Sequence, residues 1–153
     1  MKTSYTIASI SAALVGAAAL VLGLADVLVW AGSTGPISIG ILEITGDDFF
    51  RWAWGGLVVV LGGVLMLAGA RSLGDLDQRA TAVLGVIMVW LIAGCDIFGM
   101  ICSGIPAGEE SEAFFNSLGG FIGGFAPPYA PAILLLPFTL IVAWLLLDQR
   151  QGA

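Results

Sequence analysis

The chain has 153 residues, of which 59% are hydrophobic and only 10% charged, with a mean hydropathy of +1.04 and a formal net charge of −6. In an ordinary soluble domain about a quarter of the residues are charged, so the solvent for most of this surface must be lipid. The acidic balance leaves no basic cluster to neutralise phosphates, which excludes nucleic acid as a partner and argues against a polybasic headgroup site.

Histidine is absent. The usual axial ligand of haem and the commonest ligand of zinc are therefore missing, and neither metal nor cofactor is expected. The 22 glycines cluster inside apolar runs, where small residues let membrane helices approach closely.

The first apolar stretch covers about residues 7–31 and is interrupted only by Asp26. It is long enough to span roughly 30 Å of hydrocarbon with some tilt. It is too long for a secretory signal peptide, the competing reading that the small residues from Gly16 to Ala19 suggest. A polar segment follows, in which Gly35-Pro36 signals a turn and the alternation of Ile37, Ile39 and Ile41 predicts one short strand. Thr45 and Asp47 are candidate helix caps, and Asp48 adds a favourable negative charge to the first turn of a second span at 48–70.

Arg71, Asp75, Asp77 and Arg79 form a short hydrophilic link, so the second span and a third at 80–102 should be antiparallel neighbours. Asp96 lies inside the third span. After Glu109, Glu110 and Glu112 the chain carries no charge from Phe114 until Asp148, a length that exceeds one span. The fourth helix is expected at 131–147. Leu118 to Ala130, with Gly119-Gly120, Gly123-Gly124 and Pro127-Pro128, reads as an apolar interfacial loop held by Phe121, Phe125 and Tyr129. A re-entrant loop is the alternative, and it would imply a pocket.

The predicted fold class is an all-α integral membrane protein: one four-transmembrane-helix bundle with a short ordered extracytoplasmic loop. Lys2, Arg71, Arg79 and Arg150 fall on one side of this arrangement and Arg51 alone on the other, which makes a multi-pass protein of the cell membrane with both termini cytoplasmic. The loops carrying Glu43, Asp47, Asp48, Glu109, Glu110 and Glu112 then face outward. Trp30, Trp52 and Trp54 are expected to form an outer aromatic belt.

Gly55, Gly62 and Gly69 recur every seven residues in the second span, with Gly56 and Gly63 beside them, and Gly16 and Gly23 keep the same interval in the first. These glycines read as a packing seam, and Ala12, Ala19 and Asp26 form a parallel row. An aspartate at a helix centre costs roughly 2.5 to 3.5 kcal/mol on the insertion scale, so neither Asp26 nor Asp96 should face lipid. By helical rise the two share one depth, and Arg51 stands one turn inside the second span on its glycine stripe. The three are expected to form an intramembrane charge cluster in the outer half of the bundle. The plain reading is a structural ion pair; the functional one is that a single arginine compensates only one carboxylate and leaves the other to bind a proton.

Cys95 and Cys102 stand about 10 Å apart on one helix, beyond disulfide reach. Cys102, at the outer edge, is the candidate reactive thiol. The stretch Phe50-Arg51, followed by a Gly-rich apolar helix that ends in Ala70-Arg71, resembles the second helix of small four-helix proteins of the DoxX-like type. The resemblance covers one helix of four. It implies the quinone or thiol redox chemistry of some of those proteins and carries no functional residue across.

The leading functional expectation is non-enzymatic: an accessory or assembly subunit of a membrane complex, or a homo-oligomer, whose partners are the lipid bilayer and another membrane protein or a second copy. A proton-coupled carrier or ion pathway using Asp26 and Asp96 is the first alternative. A thiol or quinone redox membrane protein using Cys102 is the second.

Overall fold

The longest apolar runs form the longest helices. The computed structural model describes residues 2–103 and 118–148. Its elements are α1 (Lys2–Trp30), the strands β1 (Ile37–Ile39) and β2 (Leu42–Ile44), a π-helical segment Phe49–Trp54 that runs directly into α2 (Gly55–Gly69), α3 (Leu76–Ser103), the short α4 (Leu118–Gly123) and α5 (Pro131–Asp148). Among the described residues, four segments are long and apolar enough to cross a membrane: Tyr5–Trp30, Phe49–Gly69, Leu76–Ser103 and Pro131–Asp148. Glu109, Glu110, Glu112 and Arg150 lie outside the described residues.

α3 starts earlier than the expected residue 80, because the hydrophilic link is itself a helix start. The Asp75 carboxylate accepts the Asp77 amide at 3.1 Å, and the Arg79 amide donates to the Asp75 carbonyl at 3.0 Å. A capping carboxylate with another acid in the first turn is a favoured N-terminus. The Arg79 side chain donates to the Leu73 carbonyl and stands 5.8 Å from the centre of the Tyr5 ring, so the start of α1 and the α2–α3 turn share one end of the molecule.

Each long helix packs mainly on two others: α1 on α2 and α5, and α3 on α2 and α5. The buried face of α1 runs through Ala8, Ala12, Gly16, Ala19, Gly23 and Asp26, at the three- and four-residue spacing of one helix face. Gly16 meets Gly63 and Met66, while Gly23 meets Gly56, which fixes α1 and α2 as antiparallel. The expected single stripe on α2 proves to be two. Gly56 and Gly63 face α1, whereas Gly55 faces Ile92, Gly62 faces Gly85 and Gly69 faces Gln78 and Ala82, all on α3. Consecutive glycines are about 100° apart on a helix, so each Gly-Gly pair serves two neighbours.

α5 is held by side chains instead. Ala132, Leu135, Thr139, Val142 and Leu146 are buried along it. The Trp90 indole donates to the Thr139 hydroxyl at 2.9 Å, and that hydroxyl donates to the Leu136 carbonyl at 2.8 Å.

The polar segment after α1 forms a hairpin rather than the one strand expected. Ile37 pairs with Ile44 and Ile39 with Leu42, and Gly40 turns the chain at φ +60°. Glycine at that position, followed by a residue with negative φ, is the pattern of a type II′ turn. A third segment joins the hairpin: the Tyr129 amide donates to the Ile41 carbonyl at 2.7 Å, and the Glu43 amide donates to the Tyr129 carbonyl at 3.1 Å. The expected interfacial loop of 118–130 thus begins as helix α4 and ends as β-paired backbone. Beneath the hairpin Ile44, Val29, Trp52 and Ala130 form a small buried cluster.

Candidate functional site

The π-helical segment is set by its cap. Asp48 accepts the Arg51 amide at 2.7 Å through its carboxylate and so takes the capping role expected of Thr45 or Asp47, one residue before the first turn in which it was placed. Asp47 accepts the Thr45 hydroxyl at 2.7 Å and the Trp52 indole N–H at 2.9 Å. Those two hydrogen bonds hold the Asp47 carboxyl below its ordinary value of 3.8. The bond to Trp52 corrects the expectation of an outer belt: Trp30 and Trp54 are exposed, but Trp52 is buried under the hairpin, its one polar atom satisfied by Asp47.

With Trp52 turned inward, Arg51 reaches sideways to α3. Its Nε stands 3.2 Å from Oδ1 of Asp96, and its guanidinium lies 4.8 Å from the centre of the Trp52 ring. Of the two aspartates the sequence offered as partners, Asp96 takes the contact. Asp26 is also buried, and it stands within electrostatic range of Asp96 and Arg51. Its Oδ1 has no hydrogen-bond partner among the described residues. Gly56 makes room for it, since a Cβ there would come within 2.8 Å of the Asp26 Cβ. The three expected charges are thus gathered, with one direct pair and one carboxylate set behind it.

The pair forms part of the wall of a cavity of about 580 Å³ between the π segment and the last turns of α3. Phe50, Trp54, Leu91, Ile92 and Met100 supply apolar walls, and Asp48 and Ser103 stand at the helix ends. A volume of this order suits a small molecule, and apolar walls with a few convergent polar groups are the usual make-up of a binding pocket.

Both cysteines are free thiols. Cys95, not Cys102, lines the cavity. The signal was present in the sequence: Ile92, Asp96, Gly99 and Ser103 follow helical spacing, and Cys95 adjoins that face. The cavity depends on how two elements sit together, which no spacing within one helix reports. Comparison with protein-family models, with curated proteins and with solved structures finds no match.

Proposed function

We propose that this chain is an integral membrane protein whose four apolar segments form one transmembrane bundle, with both termini cytoplasmic, and that it acts without catalysis as an accessory or assembly subunit of a membrane complex or as a homo-oligomer. The supporting observation is the division of its surface. Helices α1, α2 and α3 meet through glycine and alanine, Thr139 on α5 turns its hydroxyl inward to Trp90, and the outward faces carry large apolar side chains such as Leu14 and Val21 on α1 and Phe138, Ile141 and Trp144 on α5. Such a surface offers lipid or a partner helix nothing but shape, and van der Waals fit drives helix association in a bilayer.

Native mass spectrometry after extraction in mild detergent tests the reading. A stoichiometric membrane partner or a defined number of copies is the expected result. A partnerless monomer that turns over a substrate would overturn it. Resistance of the membrane-bound chain to alkaline carbonate tests insertion separately.

Asp26 favours a second reading, a proton or ion pathway. A buried carboxylate oxygen without a partner is costly in a poorly solvated site, and intramembrane acids commonly mark ion paths. Proteoliposomes bearing the wild type should then pass protons or a monovalent cation, and Asp26→Asn should abolish the flux while the chain still folds. Wild-type proteoliposomes no leakier than empty ones would exclude this reading.

A further inference from the structure

We propose that the cavity between the π segment and α3 is a binding site for one phospholipid of the outer leaflet with a zwitterionic, primary-amine headgroup: the phosphate on Arg51, the ammonium on Asp48 and an acyl chain along Phe50, Trp54 and Leu91. The inference rests on the transmembrane reading, which the carbonate extraction above tests independently.

The argument begins with Arg51. It lies within an apolar segment of membrane-spanning length, yet its side chain is 46% exposed while that of Asp96 is 7% exposed. Two residues inside the start of that segment, an exposed guanidinium stands at the boundary between hydrocarbon, which supplies no hydrogen-bond acceptors, and the headgroups, which do. Asp96 sits at Nε, and a guanidinium has five N–H groups in a fixed fork suited to phosphate.

Charge then selects among phosphates. The cavity wall carries Asp48 and Asp96 against Arg51 alone, and Asp26 stands behind the pair. A purely anionic headgroup would meet an excess of carboxylates, while a zwitterionic one answers both signs. Order along the helix agrees. Asp48 precedes Arg51 and caps the segment at its outer end, so the negative group lies outside the positive one. In a phospholipid the amine is likewise attached beyond the phosphate, away from the acyl chains. A primary ammonium can donate hydrogen bonds to the Asp48 carboxylate, which a quaternary ammonium cannot.

The apolar half of the ligand has a matching wall. Phe50 is 74% exposed, Leu91 56% and Trp54 55%, all beside the charged pair. Gly99 also lines the cavity, and a Cβ built on it meets nothing within 4 Å. A larger residue at position 99 therefore fills the site without displacing a neighbour.

The test uses the full chain in detergent, with native mass spectrometry against equal concentrations of palmitoyl-oleoyl phosphatidylethanolamine, phosphatidylcholine and phosphatidylglycerol. The wild type should retain one phosphatidylethanolamine roughly tenfold better than either of the others, the scale of one charge-assisted hydrogen bond. Asp48→Asn should level phosphatidylethanolamine with phosphatidylcholine. Gly99→Leu should release the bound lipid while leaving the melting temperature nearly unchanged, and Arg51→Gln should weaken all three lipids. Arg71→Gln, at the opposite end of α2, should change nothing. Equal retention of the three lipids by the wild type, a preference for phosphatidylglycerol, or a phosphatidylethanolamine preference that survives Asp48→Asn and Gly99→Leu would each overturn the proposal. If Arg51→Gln fails to fold, the Asp48 and Gly99 variants decide the matter alone.

Discussion

Between α1, α2 and α3 the helices meet through missing side chains, whereas α5 docks on α3 and α1 through side chains that interlock. A Cβ placed on Gly63 would stand 2.6 Å from the Gly16 carbonyl oxygen, and one on Gly62 would stand 2.8 Å from the Gly85 carbonyl oxygen. The obstacle in each case is backbone, which cannot rotate away. At α5 the neighbours are Leu135, Val142 and Leu146, which can change rotamer, and a single hydroxyl that joins α5 to Trp90. Two kinds of junction in one small molecule differ mainly in what they tolerate.

Substitution at the rigid junction should break it first and most. Gly63→Val is expected to cost at least about 3 kcal/mol, at the upper end for overpacking, because neither α1 nor α2 can yield without losing the whole seam. Thermal unfolding in detergent measures this. A melting point within a few degrees of wild type would mean that the backbones separate easily and that the contrast with α5 is false.

The charged pair stands where the α3-facing glycine row of α2 ends. Arg51→Leu should lower stability by about 2 kcal/mol, less than the 3 to 5 kcal/mol of a fully buried pair, because Arg51 is half exposed. Adding Asp96→Asn should restore part of the loss, while adding Asp26→Asn should be merely additive. A double-mutant cycle in which Asp26 couples and Asp96 does not would reverse the assignment of the direct partner.

The α5 junction should respond more gently. Thr139→Val keeps the shape and removes the acceptor for the Trp90 indole, so a loss of about 1 kcal/mol is expected. Loss of all folded protein would place the α5 contact on a par with the glycine seam.

The smallest effect belongs to Asp47, the residue beside the cap. The Asp47 carboxyl is held below 3.8 in the folded chain, so its contribution to stability is complete above that value and is lost as pH falls through the lowered one. Melting temperatures recorded downward from the ordinary carboxylate value should show this decline in the wild type and a shallower one in Asp47→Asn. Parallel curves would mean that Trp52 holds its place without Asp47.

The long helices were legible in the sequence because each is an apolar run bounded by charge, by Gly-Pro or, before α5, by Pro127-Pro128, and the seam was legible because glycine at sevenfold spacing stays on one face. What escaped was direction. Gly55-Gly56 and Gly62-Gly63 looked like one smooth stripe, although a 100° step sends their members to different helices. Trp52 looked like its neighbour Trp54, since both are aromatic residues near a span end; only Asp47, five residues earlier, marks the one that turns inward. Asp26 and Asp96 were equivalent partners for Arg51 on depth alone. The strand at Ile37–Ile41 was read through its own turn, because one glycine amid isoleucines is a weak stop signal.

The pairing of Tyr129 with the hairpin also has a consequence in time. The backbone groups of Ile41 and Glu43 are made early in synthesis, yet the residue that satisfies them arrives just before α5. Contacts so distant along the chain form late, after a large loop has closed. A nascent chain emerging in order therefore carries an open strand edge until Tyr129 has been delivered, and such an edge invites pairing with other chains. Tyr129 thus closes that edge two residues before α5 begins.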